Sequence, residues 1–266
     1  MDEFRRMDCH KMTAAKKIAK YGFPVNKTLC VIGAFFFRFR NGLFPVIYLL
    51  VALFVRPSFF LGSPKWDPIA TGIGLMVAIL GETIRCLTIG LVYPIVRGGR
   101  DGRVYAVDLV TDGIFAHTRN PMYVGNLFFA LGFCLMYGSP WTYLIIFSFF
   151  LLVYVSIVFE EERFLSEKFG EKYDAYLHDT SRFVPRLQGL AQTMRQQHFD
   201  WKRVIAKEYG TLFVFFFGAY VLLIAKYRYL IGPVGILGRS GLLVLFSIPF
   251  FILYGVARFL KKTDRI

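Results

Sequence analysis

His117-Thr118-Arg119-Asn120-Pro121-Met122-Tyr123-Val124-Gly125 sets an imidazole, a guanidinium and an amide directly before a proline, and the chain then stays apolar as far as Tyr137. Proline suits the first turn of a helix, where its missing N–H is not needed and its fixed φ is already helical. The stretch therefore predicts a membrane helix that opens at Pro121. Arg119 and Asn120 would sit at its mouth, beside free N–H groups of the kind that attract anions. A second apolar run, Trp141 to Phe159, follows after only Gly138-Ser139-Pro140. Helices joined that tightly form an antiparallel hairpin, and this one returns Glu160-Glu161-Glu162 to the face that carries Arg119. A cationic and an anionic cluster are thus expected at one membrane surface, with the rest of the chain serving that arrangement.

Composition places the spans in a wider frame. The 266 residues are 56% hydrophobic and 18% aromatic, with 30 Phe, and several uncharged runs approach the ~20 residues that cross a bilayer as a helix. No strand-like alternation competes with this pattern. The expected fold is all-α: a polytopic membrane helix bundle of about six transmembrane helices with cytoplasmic amphipathic helices. The net charge of +14 has the same explanation. Of the 32 Lys and Arg, 26 lie in residues 1–41, 93–121, 159–208 and 258–266, five lie in 56–67 and 226–240, and Arg85 falls within a span. That bias is the positive-inside pattern rather than a nucleic-acid surface. It places both termini in the cytoplasm, with membrane lipids and no nucleic acid as partners. Cys9, Cys30, Cys86 and Cys134 form no close pair, and the four histidines stand apart. Neither a disulfide framework nor a metal site is expected.

Residues 1–42 read as a basic N-terminal segment. Lys11, Lys16, Lys17 and Lys20 suit either anionic lipid or a flexible tail, and Leu29–Phe37 reads as interfacial because Arg38 and Arg40 interrupt it. A core, 43–186, opens with a span from Leu43 to about Leu61. Its second span, roughly Pro68 to Tyr93, carries Ala70, Gly74 and Ala78 at the four-residue spacing that lets another helix approach closely. Glu82 and Arg85 follow one turn apart. They are either a satisfied pair or part of a site, since charges within spans usually face a partner or a cavity. Residues 94–113 read as a loop with turn signals at Gly98-Gly99 and Asp112-Gly113. Glu160 to about Thr180 reads as an amphipathic surface helix. Residues 187–208 read as a linker followed by a basic helix, and 209–266 as a C-terminal hairpin, Tyr209–Ala225 and Gly241–Phe259, with a kink at Pro249.

The run from Leu109 to Gly125 resembles the signature of the isoprenylcysteine carboxyl methyltransferase family and its phospholipid methyltransferase relatives. Glu161-Glu162, Leu165, Phe169-Gly170, Tyr173, Tyr176, Arg182 and Pro185 follow in the same order and spacing, and Gly81-Glu82 with Ile84-Arg85 resembles bacterial members. The likeness covers residues 68–186. It implies an integral-membrane enzyme, of a bacterial inner membrane, that uses S-adenosyl-L-methionine without a Rossmann domain and receives a lipid or other lipophilic acceptor from the bilayer. By position it assigns His117, Arg119, Asn120, Pro121, Tyr123 and Gly125 to cofactor binding, together with Glu160, Glu161 and Glu162. Glu82, Glu161 and Glu162, with Arg85, are the catalytic candidates. An amine or phenol acceptor needs a group to take its proton, whereas a carboxylate does not. Two positions depart from the eukaryotic enzymes: they have His at Asn120, and an arginine where this chain has Tyr154, Ser156 and Ile157. Both departures weigh against carboxyl methylation of a prenylated cysteine.

An NADPH-dependent enzyme of the sterol-reductase type is the alternative enzymatic reading, and a non-catalytic membrane binding protein the alternative from another class. The topology is testable at once: a reporter fused after Ile266 should register on the cytoplasmic side, and an outer-face signal would refute the six-span reading.

Overall fold

The computed structural model describes residues 27–91, 97–100 and 103–263. The basic positions Lys11 to Lys20 lie outside these. The chain forms two compact units: Met1–Pro45, Val92–Tyr123 and Phe149–Gln197 make the first, and Val46–Leu91, Val124–Ser148 and His198–Ile266 the second. We call them the signature unit and the bundle unit. The architecture is the expected all-α membrane bundle. Among the described residues, Asp67–Leu91, Thr142–Phe169 and Trp201–Gly232 are long and apolar enough to cross a membrane, and Pro121–Tyr137 is a shorter apolar helix.

Helix α1 (Lys27–Phe54) is continuous through Arg38 and Arg40, so the expected break there is absent. The two arginines lie over the rings of Phe39 and Phe37, at 5.5 and 4.3 Å from the centroids. Their stems follow apolar surface while their charge meets a ring face. The helix stops at Phe54, before Arg56-Pro57, where the residue ahead of a proline is pushed out of the α region.

In the bundle unit, helix α2 (Asp67–Leu91) inverts the pattern of a soluble helix. Its small residues Ala70, Gly74, Ala78 and Gly81 are buried, while Ile69, Ile73, Leu75, Met76, Ile79 and Leu80 are exposed. Lipid can solvate those large side chains; packing between helices in lipid favours small ones that let backbones touch. The touching partner is helix α3 (Pro121–Tyr137). A Cβ on Gly81 would fall 2.4 Å from the Gly125 carbonyl, and one on Gly74 would fall 2.7 Å from that of Gly132. Helix α7 (Trp201–Lys262) packs beside them, burying Phe215 and Ala219 with Ala78, Phe133 and Met136. Asp200 caps its N-terminus through the Arg203 N–H, and that hydrogen bond holds the Asp200 carboxyl below the ordinary range.

The C-terminal hairpin is present but turns differently from the reading above. Gly232, at φ 73° and ψ 174°, reverses the chain in a conformation open essentially to glycine alone. The arms then meet through Tyr209–Tyr254 and Phe213–Tyr254 rings at 5.6 and 4.2 Å, and Lys261 Nζ donates to the Ala206 carbonyl. Residues 201–208 are the first turns of this helix, so the basic helix expected in 187–208 is not separate.

Lys226 is the larger correction. Its sequence position suggested an outer loop, yet it is completely buried. Nζ lies 2.7 Å from Asp67 Oδ1 and donates to the Met136 carbonyl at 2.8 Å, while the Tyr227 hydroxyl and Phe60 N–H donate to the same carboxylate. The pair neutralises both charges and joins α2, α3 and α7 at one end of the unit.

The signature unit holds a short antiparallel hairpin, β1 (Arg97–Arg100) and β2 (Arg103–Ala106), with Gly98 opposite Tyr105 and Gly99 opposite Val104. Gly98-Gly99 therefore lie in a strand, not in the expected turn. A π-helical turn (Thr142–Phe147) leads into helix α4 (Ser148–Phe169). Gly170, at φ 54°, breaks the chain before helix α5 (Glu171–Asp179). The three glutamates thus sit inside α4, because Glu and Arg are good helix formers and Arg163 pairs with Glu160 and Glu167 at 2.7 and 3.3 Å along it. Leu165, Tyr173, Tyr176 and Leu177 bury against Ala106 to form the core.

Replacing Asp67 with Ala leaves Lys226 charged and unpaired in the interior. Breaking a buried pair this way costs about 3–5 kcal/mol, so thermal unfolding in detergent should begin well below that of the parent. An unchanged midpoint would mean the pair contributes nothing.

Candidate functional site

Proline opens α3 as expected, and the loop before it is built by a segment far downstream. A 3-10 turn, Gly113–Ala116, delivers His117 to Asn120, and Ser181–Arg186, beyond α5, runs alongside. The Arg119 N–H donates to the Ser181 carbonyl and the Arg186 N–H to the His117 carbonyl, both at 2.9 Å. Side chains add to the same seam. His117 Nδ1–H donates to the Arg186 carbonyl at 2.6 Å, and Asn120 Nδ2 donates to that of Arg182 at 3.1 Å. His117 Nε2 lies 2.9 Å from the hydroxyl of Thr193, on the short helix α6 (Leu190–Gln196). His117 and Asn120 therefore hold the loop in shape.

Beneath this seam lies a buried charged cluster. Arg182 grips the Glu162 carboxylate through Nη2 at 2.7 Å and Nε at 3.1 Å, with its guanidinium 4.5 Å from the Phe159 ring centroid. Arg119 Nη2 lies 3.3 Å from the other Glu162 oxygen, and its Nη1 donates to the Leu177 carbonyl. Glu162 is only 1% exposed and Arg119 3%. Arg119 Nε is buried with no hydrogen-bond partner among the described residues. One turn of α3 onward, the Tyr123 hydroxyl donates to Glu161 Oε1 at 2.5 Å and receives a longer bond from Arg40 Nη1. Tyr123 also packs against Tyr154, with ring centroids 5.6 Å apart.

The structure thus brings together His117, Arg119, Asn120, Pro121, Tyr123, Glu161 and Glu162. It also reveals Arg182 and Arg40, whose parts in the cluster the sequence pattern did not show. Arg119 and Glu162 are in direct contact. Glu160 pairs with Arg163, whose side chain is 40% exposed, on another face of the helix. Gly125 packs against Gly81 inside the bundle unit. That unit carries its own polar cluster, in which Glu82 and Arg85 lie 3.6 Å apart and Arg85 also grips Glu208.

Residues 73–172, which hold the signature loop up to α5, match the phospholipid methyltransferase family. The chain is similar to the cobalt-zinc-cadmium resistance protein CzcN of Cupriavidus metallidurans, at 31% identity over 143 residues, 53% of this chain and 63% of that protein. The nickel-cobalt-cadmium resistance protein NccN of Alcaligenes xylosoxydans xylosoxydans is 29% identical over 59% of this chain and 69% of its own length. The protein-S-isoprenylcysteine O-methyltransferase of Schizosaccharomyces pombe is 36% identical over 78 residues, 29% of this chain and 33% of its own. The chain thus spans 63% of the length of the first of these relatives. No solved structure matches it.

Within the matched stretch, Glu162 and Glu160 should respond differently to the same change. Glu162→Gln removes the buried charge that the Arg119 and Arg182 guanidiniums face, at a cost of about 3–5 kcal/mol. Glu160→Gln affects a half-exposed pair worth under about 1 kcal/mol. Thermal unfolding of both variants measures the contrast, and equal midpoints would show that burial does not govern the Glu162 contacts.

Proposed function

We propose that the protein transfers a methyl group from S-adenosyl-L-methionine to a lipid or other lipophilic acceptor at the cytoplasmic face of the membrane. The observation that carries this reading is a buried pair of opposite polar ends in the signature unit: the open Arg119 Nε donor, and the Glu161 carboxylate held by Tyr123. A zwitterionic amino-acid moiety has a carboxylate for the first and an ammonium for the second, so the donor set fits this cofactor. The family match of residues 73–172 supports the same reading.

In this reading Arg119 binds the carboxylate through a charge-assisted hydrogen bond. Glu161 takes the ammonium group or ribose hydroxyls, and the Tyr123 hydroxyl keeps its Oε1 in place. Glu162 is committed to Arg119 and Arg182, so its part is to fix the guanidinium plane rather than to touch the ligand. His117 and Asn120 hold the backbone that carries Arg119. When bound, S-adenosyl-L-methionine supplies a methyl group activated by its sulfonium. Burial of the cluster keeps water from competing as acceptor and strengthens each polar contact.

The test is calorimetry on purified protein in detergent. S-adenosyl-L-methionine or its demethylated product should bind, and NADPH should not. Arg119→Lys, which keeps the charge but loses the planar fork, should bind more weakly. Tyr123→Phe should weaken binding by about tenfold, the effect of roughly one hydrogen bond to a charged group. Binding of NADPH without the adenosyl cofactor would move the assignment to a reductase. Binding of neither would leave a non-catalytic membrane protein.

A further inference from the structure

Within the signature unit, a cleft of about 360 Å³ opens beside the seam. Lys172, Tyr176 and Asp179 line it from successive turns of α5, and Thr111, Thr180 and Arg186 complete the polar lining. Its walls are tied together. The Tyr176 hydroxyl donates to the Phe115 carbonyl at 2.7 Å, the Arg186 N–H donates to the His117 carbonyl, and the Ser181 hydroxyl donates to the Val184 carbonyl. Lys172 and Arg186 are exposed, and among the described residues neither side chain has a hydrogen-bond or ion-pair partner. Asp179 lies 2.9 Å from the His178 ring. The cleft thus offers two open cations against one carboxylate that already has a partner. Val184 and Leu187, on either side of Arg186, are 76% and 74% exposed. Water is a costly setting for two large apolar side chains on a pinned backbone, and the acyl boundary of a bilayer is not. The bilayer surface is also close at hand: α4 supplies most of the apolar span Thr142–Phe169, and Gly170 turns the chain from its polar end straight into α5.

We propose that this cleft holds the phosphate of an anionic membrane lipid, with Lys172 and Arg186 on its oxygens and Val184 and Leu187 seated at the acyl boundary. Ammonium and guanidinium make charge-assisted hydrogen bonds to phosphate, and basic pockets at a membrane surface recognise lipid headgroups this way. The Thr111 and Thr180 hydroxyls are further donors, and Asp179 accepts from a headgroup hydroxyl, as a glycerol headgroup provides. The site does not involve Arg119 or Glu161 and does not rest on methyl transfer. It has a bearing on the signature loop all the same. Arg186 exchanges two hydrogen bonds with His117, one from its N–H and one to its carbonyl, so a lipid held by the Arg186 side chain braces the segment that seats the loop.

The experiment is native mass spectrometry of the full chain in detergent with equimolar phosphatidylglycerol and phosphatidylcholine of matched acyl chains. The parent should retain phosphatidylglycerol about tenfold over phosphatidylcholine, the preference expected of two cations near the headgroups. The double variant Lys172→Gln, Arg186→Gln should bring the two lipids close to parity. Lys262→Gln, which removes an exposed cation of the bundle unit, should keep the preference. Inorganic phosphate and glycerol phosphate at millimolar concentration should not displace the lipid. Hydrogen exchange on the parent needs no variant: amides of residues 182–189 should exchange more slowly in phosphatidylglycerol nanodiscs than in phosphatidylcholine ones. Size-exclusion profiles show whether the double variant is folded. Equal retention of the two lipids, an undiminished preference in the folded double variant, or equal exchange in the two discs overturns the proposal. Displacement by glycerol phosphate or inorganic phosphate overturns the lipid assignment and makes the cleft a site for soluble phosphate.

Discussion

The signature unit depends on one buried carboxylate. Glu162 lies between Arg119, at the end of the loop before α3, and Arg182, in the irregular segment after α5. Desolvating a carboxylate costs more than one ordinary contact returns, so such a group persists only where opposite charges and hydrogen bonds surround it. Here the surrounding groups come from segments about 40 and 20 residues away, and the need to neutralise Glu162 draws both to one helix face. Once they are there, the remaining polar groups of the loop have partners within reach. His117 finds the Arg186 carbonyl, Asn120 finds that of Arg182, and the backbones exchange hydrogen bonds between them.

The bundle unit resolves its charges in two ways. Asp67 and Lys226 balance one against one, and the carboxylate is filled by further donors from Phe60 and Tyr227. That arrangement is closed and has the character of a staple. Around Arg85 the count is two against one, and the geometry favours Glu208 over Glu82. The same physics therefore yields an even pair at one place and one guanidinium shared between two carboxylates at the other. The small-residue contact between α2 and α3 makes both possible, since backbones in contact leave little room for water to screen either cluster.

Much of this was legible in local sequence. Pro121 announces a helix start by its own chemistry, and Ala70, Gly74 and Ala78 announce a close helix contact by spacing. Gly125 and Gly132, the other half of that contact, gave no such sign, because which glycines oppose one another depends on helix register. The charged residues misled most. Lys226 looks like a loop residue until Asp67, 159 positions away, is seen beside it. Glu160 looks like the end of a span, although glutamate and arginine prolong a helix readily. Arg182 stood in the family pattern, but its grip on Glu162 arises only when the chain folds back after Gly170. Arg85 pairs with Glu208 as well as with Glu82, and Glu208 belongs to a helix outside the matched stretch.

The seam between the signature loop and Ser181–Arg186 also has a consequence for how the protein is made. His117 and the Arg186 carbonyl it bonds are 69 residues apart. At about 5–20 residues per second, ribosomes need roughly 3–14 seconds to cover that distance. During that interval Arg119 has left the ribosome while both Glu162 and the segment that seats its backbone are still to come. The signature therefore cannot take its shape as it is synthesised. It must wait, unpaired at the membrane surface, until α4 and α5 are complete, and any nascent chain that stops short of Arg186 carries the motif without its geometry.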